Sequence, residues 1–349
     1  MAGGRAWLLA GFEGTAPSPT LERLAEAGDL AGGVLFARNC PDLDTVLALT
    51  AALRRLLPEG LIALDHEGGR VHRLPPPFTH FPPAAALGRI GDPALARAVA
   101  RAMASELRAA GFTMTLAPVL DVLTVPDNPV IGDRAFGADP AAVGELGAAF
   151  VAGTLEAGLI PVGKHFPGHG RTSLDSHQAL PTVEAGVEAL EAVELPPFRA
   201  AIATGCPALM AAHVLVPALD PDWPASLSPV ILGRLLRDRL GFSGLVLSDD
   251  LEMGAITTRW TVEAAASRFL EAGGDLALIC RSGEHQLAAA RAIRRLRDAG
   301  RLAEEEARRA RRRAAWGRLG PAQGPKVIGA PEHRALAEEV RRRAGEAFR

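Results

Sequence analysis

A chain of 349 residues, 48% hydrophobic and 22% charged, holds enough material for one large α/β domain or two ordinary ones. Its 38 Lys+Arg against 40 Asp+Glu supply no global field for nucleic acid or an anionic membrane. No apolar stretch reaches about 18 residues without a charge, so neither a basic binding module nor a spanning helix is expected. The apolar run after Trp7 is too short for a signal-peptide core. Three scattered cysteines, Cys40, Cys206 and Cys280, argue against a disulfide framework, so the expected compartment is the cytoplasm.

Along the chain, short apolar runs alternate with longer amphipathic segments. The expected strands are Trp7–Phe12, Gly33–Phe36, Leu61–Asp65, Met114–Ala117, Ile160–Phe166, Leu209–Val214, Leu245–Asp249 and Leu276–Cys280. Each is almost continuously apolar, the signature of parallel strands covered on both faces. Between them the spacing predicts helices over Leu43–Leu56, Ala94–Ala110, Ala141–Ala157, Val187–Thr204, Pro229–Arg239 and Val262–Ala272. Glycines 111, 158, 205, 241 and 273 follow such segments where a left-handed C-cap is wanted. Eight β/α alternations predict a (β/α)₈ TIM-type barrel with extra C-terminal helices; a doubly wound sheet is the competing arrangement. Further helices are expected over Glu284–Ala299, Glu304–Arg318 and His333–Phe348, with a Gly/Pro-rich joint at Gly320–Pro331. This divides the chain into a catalytic barrel, 1–319, and a linker with a C-terminal helix, 320–349. The arginine run Arg308–Arg313 reads as a solvated helical face, with acids at that helix's N-terminus and bases following.

In such a barrel, function belongs at the C-terminal strand ends, and the polar residues cluster there. The third strand ends in Asp65-His-Glu-Gly-Gly-Arg-Val-His-Arg73. The fourth is followed by Asn128 to Gly137, and the fifth runs through Lys164-His-Phe-Pro-Gly-His-Gly170 to Asp175-Ser-His177. His213 closes the sixth, and Ser248-Asp249-Asp250 the seventh.

Three chemistries fit these groups. The histidines with nearby aspartates could hold a hydrolytic zinc, but His165 and His169 flank a Pro-Gly turn rather than sharing a helix face. Lys164, one of only two lysines beside Lys326, could form a Schiff base; a compact ammonium serves equally well to hydrogen-bond sugar hydroxyls. In the third reading Asp249 attacks an anomeric carbon, and His177, oriented by Asp175, donates and recovers the proton from a mobile loop.

These motifs, with Gly32–Asn39, Ala117-Pro-Val-Leu-Asp121, Met210-x-Ala-His213 and Ser248–Met253, resemble glycoside hydrolase family 3. The resemblance is to its single-barrel β-N-acetylhexosaminidases, which act on cell-wall fragments in peptidoglycan recycling. It implies Asp249 as nucleophile, His177 as acid/base and Asp175 as its partner. Asp65, Arg73, Arg134, Lys164 and His165 would surround a terminal N-acetylglucosamine, with Asp250 structural and His169 shaping its loop. The implied enzyme is a monomer that needs no metal or organic cofactor and binds neither nucleic acid nor membrane. Its substrates would be GlcNAc–anhydro-N-acetylmuramyl muropeptides, with phosphate a conceivable acceptor beside water. His66 stands where the family commonly has Gln, and Ala37-Arg-Asn-Cys40 departs from Ser-Arg-Asn-Tyr. The family's glucosidase and xylosidase branch lacks the Asp-x-His loop and takes its acid/base from a second domain. Glu332–Arg349 resembles the first helix leading into one, and a non-catalytic sugar-binding barrel is the remaining alternative.

Overall fold

Eight short strands run parallel and hydrogen-bond in chain order until the last meets the first, closing a barrel. They are β1 (Leu8–Gly11), β2 (Leu30–Leu35), β3 (Leu61–Leu64), β4 (Met114–Thr115), β5 (Ile160–Phe166), β6 (Ala208–Ala211), β7 (Leu245–Asp250) and β8 (Leu276–Ile279). The computed structural model describes residues 6–172, 179–302, 305–320 and 324–345. Every strand residue is buried except Asp249 and Asp250 at the end of β7, which explains why the runs carry no alternation: both faces are covered. Leu9, Val34, Ala63, Met114, Val162 and Leu247 belong to one buried cluster, and a larger one packs strands against helices. β2 begins three residues earlier than its sequence suggests. Gly32 lies within the strand; a Cβ on it would sit 2.1 Å from the Leu61 carbonyl oxygen, so the glycine permits a close backbone approach.

The surrounding helices are α1 (Pro19–Glu26), α2 (Leu43–Leu56), α3 (Ala84–Ile90), α4 (Pro93–Ala109), α5 (Pro140–Glu156) and α6 (187–203). They continue with α7 (Val230–Arg239), α8 (Val262–Glu271), α9 (Gly283–Asp298), α10 (Glu305–Trp316) and α11 (Pro331–Ala344). Their starts follow local chemistry. Asp42, Asp92 and Asp139 cap α2, α4 and α5 through their side chains, and Pro93 and Pro140 supply the pre-set first residue. α11 packs on α3 and α4. Among the described residues no helix is long and apolar enough to cross a membrane.

The arginine run departs from expectation. Arg308 and Arg312 are 3% and 1% exposed, and their guanidinium carbons lie 5.6 and 5.4 Å from the centroid of the Trp7 ring. Arg312 donates to the Ala6 carbonyl. Fully buried Asp275 accepts from Arg311 at 2.9 Å and Arg237 at 2.7 Å. The residues at the start of β1 need a lid, and α10 supplies it with cations over an aromatic face and a buried counter-charge.

Candidate active site

The C-terminal ends of the strands enclose a cavity of about 790 Å³, on the end of the barrel expected for function. Asp65, Arg73, Arg134, Lys164, His165 and Asp249 all line it, so six of the eight residues singled out from the sequence come together. The other two, Asp175 and His177, lie outside the described residues.

One side of the cavity is an ion cluster. The Lys164 ammonium, 2% exposed, sits 2.6 Å from both Asp65 Oδ1 and Glu67 Oε1. Arg134 donates twice to Glu67, from Nε at 2.8 Å and Nη2 at 2.9 Å. Burial opposes the charge on Lys164, but the two carboxylates outweigh it and raise its pKa. Burial likewise opposes ionisation of Glu67, yet Arg134 and Lys164 hold its carboxyl far below the usual range. A lysine so firmly protonated is a hydrogen-bond donor, and the Schiff-base reading fails on this geometry. Glu67 carries the cluster, although the sequence singled out only its neighbour Asp65. Its signal was an acid in a buried strand-end motif that also supplies Asp65 and Arg73. The Nε of Arg73 is buried with no hydrogen-bond partner, a donor placed for a ligand.

A second group organises the floor. Asp121, fully buried, accepts from the His165 ring Nδ1 at 2.7 Å and from the His169 backbone N–H at 2.7 Å. With Nδ1–H given to the carboxylate, the other ring nitrogen of His165 is left for the cavity it lines. Asn128 donates to the His169 carbonyl at 3.0 Å and accepts from the amides of Val130 and Ile131, fixing the loop that carries Arg134. His169 is bonded within this loop through its amide, its carbonyl and, from ring Nδ1, the Thr172 hydroxyl at 2.7 Å.

Asp249 stands half-buried at the tip of β7. Burial pushes its carboxyl pKa up; the fields of His165 and His213, the Asp250 N–H at 2.8 Å and Lys164 outweigh this and hold it below its ordinary value. It is an anion facing the cavity. His213 is fully buried, with Nε2 donating to the Asp250 carbonyl at 3.0 Å and Nδ1 bonded to the Ser226 hydroxyl at 2.7 Å.

Asp250 does not cap the following helix. Its Oδ1 accepts the amides of Glu252 at 3.1 Å and Cys280 at 3.2 Å, stitching β7 to β8. Burial, with the charges of Glu252 and Asp249, pushes its pKa up to about 7. Arg38 and Asn39 tie the tops of neighbouring strands: Arg38 donates to the carbonyls of Phe12 and Cys280, and Asn39 to Phe12 and Gly14. Among the described residues no group of three or more His, Cys, Asp or Glu is arranged to hold a metal ion.

Burial holds His72 and His169 down to about pKa 4, below their unfolded value near 6.5. Between those values the unfolded chain binds protons the native state refuses. Stability should be full above pH 6.5 and fall toward pH 4, by about 1.4 kcal/mol per pH unit for each such ring. Denaturant midpoints measured from pH 7.5 to 4 check this; a midpoint constant down to pH 4.5 would contradict the buried neutral histidines.

Residues 16–315 match the family model described as "Glycosyl hydrolase family 3 N terminal domain". The chain is 43% identical over 263 residues to a beta-hexosaminidase of Nitrosospira multiformis, covering 73% of this chain and 75% of that protein. It is 44% identical over 258 residues to one of Methylococcus capsulatus, covering 73% and 77%. Among solved structures it is similar to a glycoside hydrolase family 3 beta-N-acetylglucosaminidase from Paenibacillus sp., with TM-score 0.93 and 38% identity, covering 98% of this chain and 68% of that one. NagZ from Neisseria gonorrhoeae superposes with TM-score 0.82 at 32% identity, covering 98% of both chains.

Proposed function

The chain belongs to glycoside hydrolase family 3 and is a glycoside hydrolase; from that premise we propose that it removes terminal, non-reducing β-linked N-acetylglucosamine with retention of configuration. One observation carries this reading: an ionised Asp249 lines the same cavity as Asp65, Lys164 and Arg134, which Glu67 holds together from behind. An anion for the anomeric carbon and a fixed array of hydroxyl-binding groups share one space. The curated relatives named beta-hexosaminidase support the choice of sugar.

In the proposed mechanism Asp65, Arg73, Lys164, Arg134 and His165 bond the hydroxyls and amide of the terminal residue and hold its anomeric carbon over Asp249. Asp249 attacks while His177, oriented by Asp175, protonates the departing oxygen. The glycosidic bond breaks and a glycosyl ester forms. His177 then takes a proton from water, whose oxygen displaces Asp249. Electron pairs and protons balance without a metal, and turnover should be indifferent to EDTA. The expected aglycone is the anhydro-N-acetylmuramyl part of a muropeptide in the cytoplasm. Arg281 lines the cavity beside Arg38 and Arg70, which pair with Glu13 and Asp133, and its charge suits an acidic aglycone.

The test compares p-nitrophenyl β-N-acetylglucosaminide with the β-glucoside, following the anomer first released by proton NMR. A strong preference for the N-acetyl sugar and initial β-product are expected. His177→Ala should cost about 10²–10⁴-fold on a natural disaccharide and less on the nitrophenyl glycoside, whose leaving group needs little protonation. Preference for the glucoside would move the protein to the other branch, and initial α-product would exclude the glycosyl ester.

A further inference from the structure

Three histidines stand behind the sugar-binding segment and take no part in the proposed chemistry. Residues 65–73 form a tight hairpin: the Glu67 amide donates to the Val71 carbonyl at 2.9 Å, and the Val71 amide to Gly68 at 3.1 Å. Asp65, Arg70 and Arg73 line the cavity; His66 and His72 do not. The rings of His66 and His72 pack across the hairpin with centroids 4.5 Å apart, and His80 continues the column 4.4 Å beyond His72. The Nδ1 atoms of His66 and His72 are buried without partners, so the column acts through packing. Burial, then the neighbouring His80, pushes His72 down to about 4, which keeps the rings from repelling one another near neutral pH.

His80 also reaches the hairpin's tip, its Nε2 bonding the Gly69 carbonyl at 2.8 Å. Gly69 itself donates to Phe81 at 2.8 Å. The contact is too close for a side chain, since a Cβ on Gly69 would lie 2.6 Å from Pro83 Cβ. The hairpin's position is therefore inherited from residues 79–83.

Those residues are gripped in turn by the last described helix. Buried Glu106 accepts the Thr79 amide at 2.9 Å and hydroxyl at 2.6 Å, and also binds His333 Nδ1 at 2.8 Å. Arg341 donates to the His80 carbonyl at 2.5 Å. Just ahead of α11, a Cβ on Gly329 would meet the Pro77 carbonyl oxygen at 2.1 Å. A continuous line of contacts thus runs from α11 through Thr79 and His80, across His72 and His66, to Asp65 and Glu67 and so to Lys164 and Arg134.

We propose that α11 sets the affinity for the terminal sugar, with His333 and Arg341 as positioning residues acting through the His80–His72–His66 column on the Asp65–Arg73 hairpin. Neither residue reaches the cavity; each fixes where its ligands stand. The proposal rests on the reading that Asp65 and Arg73 hold the sugar.

The test is steady-state kinetics with p-nitrophenyl β-N-acetylglucosaminide for the full chain and for His333→Ala, Arg341→Ala, His80→Ala and Asp65→Asn, run well below each variant's Tm. His333→Ala and Arg341→Ala should each raise KM about fivefold while kcat stays within about twofold, the loss expected when one hydrogen bond no longer fixes alignment. His333→Gln, which keeps a donor for Glu106, should restore KM, and it serves in place of the alanine variant if that does not fold. His333→Ala and His80→Ala should combine less than additively, because they break one line of contacts. A purely structural helix would lower Tm and leave KM at its wild-type value; with Asp65→Asn raising KM, that result overturns the inference. An unchanged KM in Asp65→Asn would instead overturn the sugar-binding reading itself.

Discussion

Asp249→Ala is expected to lower kcat by about four orders of magnitude or more while binding of free N-acetylglucosamine stays within a few-fold, because in the proposed mechanism the group lost acts in the covalent step. Asp249 is an anion at the tip of β7, its pKa held down by His165, His213, Lys164 and the Asp250 amide against the opposing pull of burial. No other carboxylate on that strand end can stand in. Asp250 has its Oδ1 committed to the Glu252 and Cys280 amides and titrates only near pH 7. The alanine variant leaves a hole where a small anion fits. Azide should restore part of the turnover and give the α-glycosyl azide, the product of a single displacement from the emptied face. The N-acetyl substrate brings a rival nucleophile, its own acetamido oxygen, which some retaining enzymes use. Less than a tenfold loss in Asp249→Ala, with no azide product, would transfer the attack to that oxygen.

Glu67→Gln should produce the largest combined loss of stability and binding. Glu67 is 7% exposed, receives both donors of the Arg134 fork and touches the Lys164 ammonium at 2.6 Å. Removing its charge leaves buried Lys164 its contact with Asp65, and half-buried Arg134 the fields of Asp65 and Asp121. Breaking such a cluster costs about 3–5 kcal/mol. For a chain of this length that is roughly a 5 °C fall in Tm. Lys164 and Arg134 would then repel and shift, and kcat/KM should fall about 100-fold or more, mainly through KM. The change is read from thermal melts and kinetics on the same preparation. An unaltered Tm would mean the cluster is not electrostatically closed as the distances indicate. The sequence could not expose this residue as a binding determinant because Glu67 acts on other protein groups, while a motif points to those that face the ligand.

Much of the barrel was legible in the sequence for one physical reason: parallel strands covered on both faces must be continuously apolar, and Ile160–Phe166 was placed to the residue. Helix α2 was equally plain, since Asp42 marks its start and the apolar spacing runs to Leu56. The short helix α3 shows no such pattern, because it spans only Ala84–Ile90 and follows two prolines, Pro82 and Pro83. The buried face of α10 was missed because arginines look solvated unless the aromatic ring and Asp275 that receive them are known. Strand-end position and motif led to six residues that line one cavity. The motif Ala117–Asp121 contains the carboxylate that orients His165 but does not reveal that role, since a carboxylate's partner is set by the third dimension.

The sandwich of Trp7 beneath α10 also dictates an order of events. Arg312 and Ala6, which it bonds, lie 306 residues apart in sequence, so the first strand cannot receive its lid until nearly the whole chain has been made. Joining segments so distant carries a large closure entropy, and folds dominated by such contacts mature slowly. A nascent chain that has finished all eight strands still lacks the two guanidiniums that cover the indole. Trp7 is therefore a built-in optical reporter. In a variant with Trp223, Trp260 and Trp316 replaced by Phe, its fluorescence should change when the two guanidiniums settle over the ring, after backbone circular dichroism has become native-like.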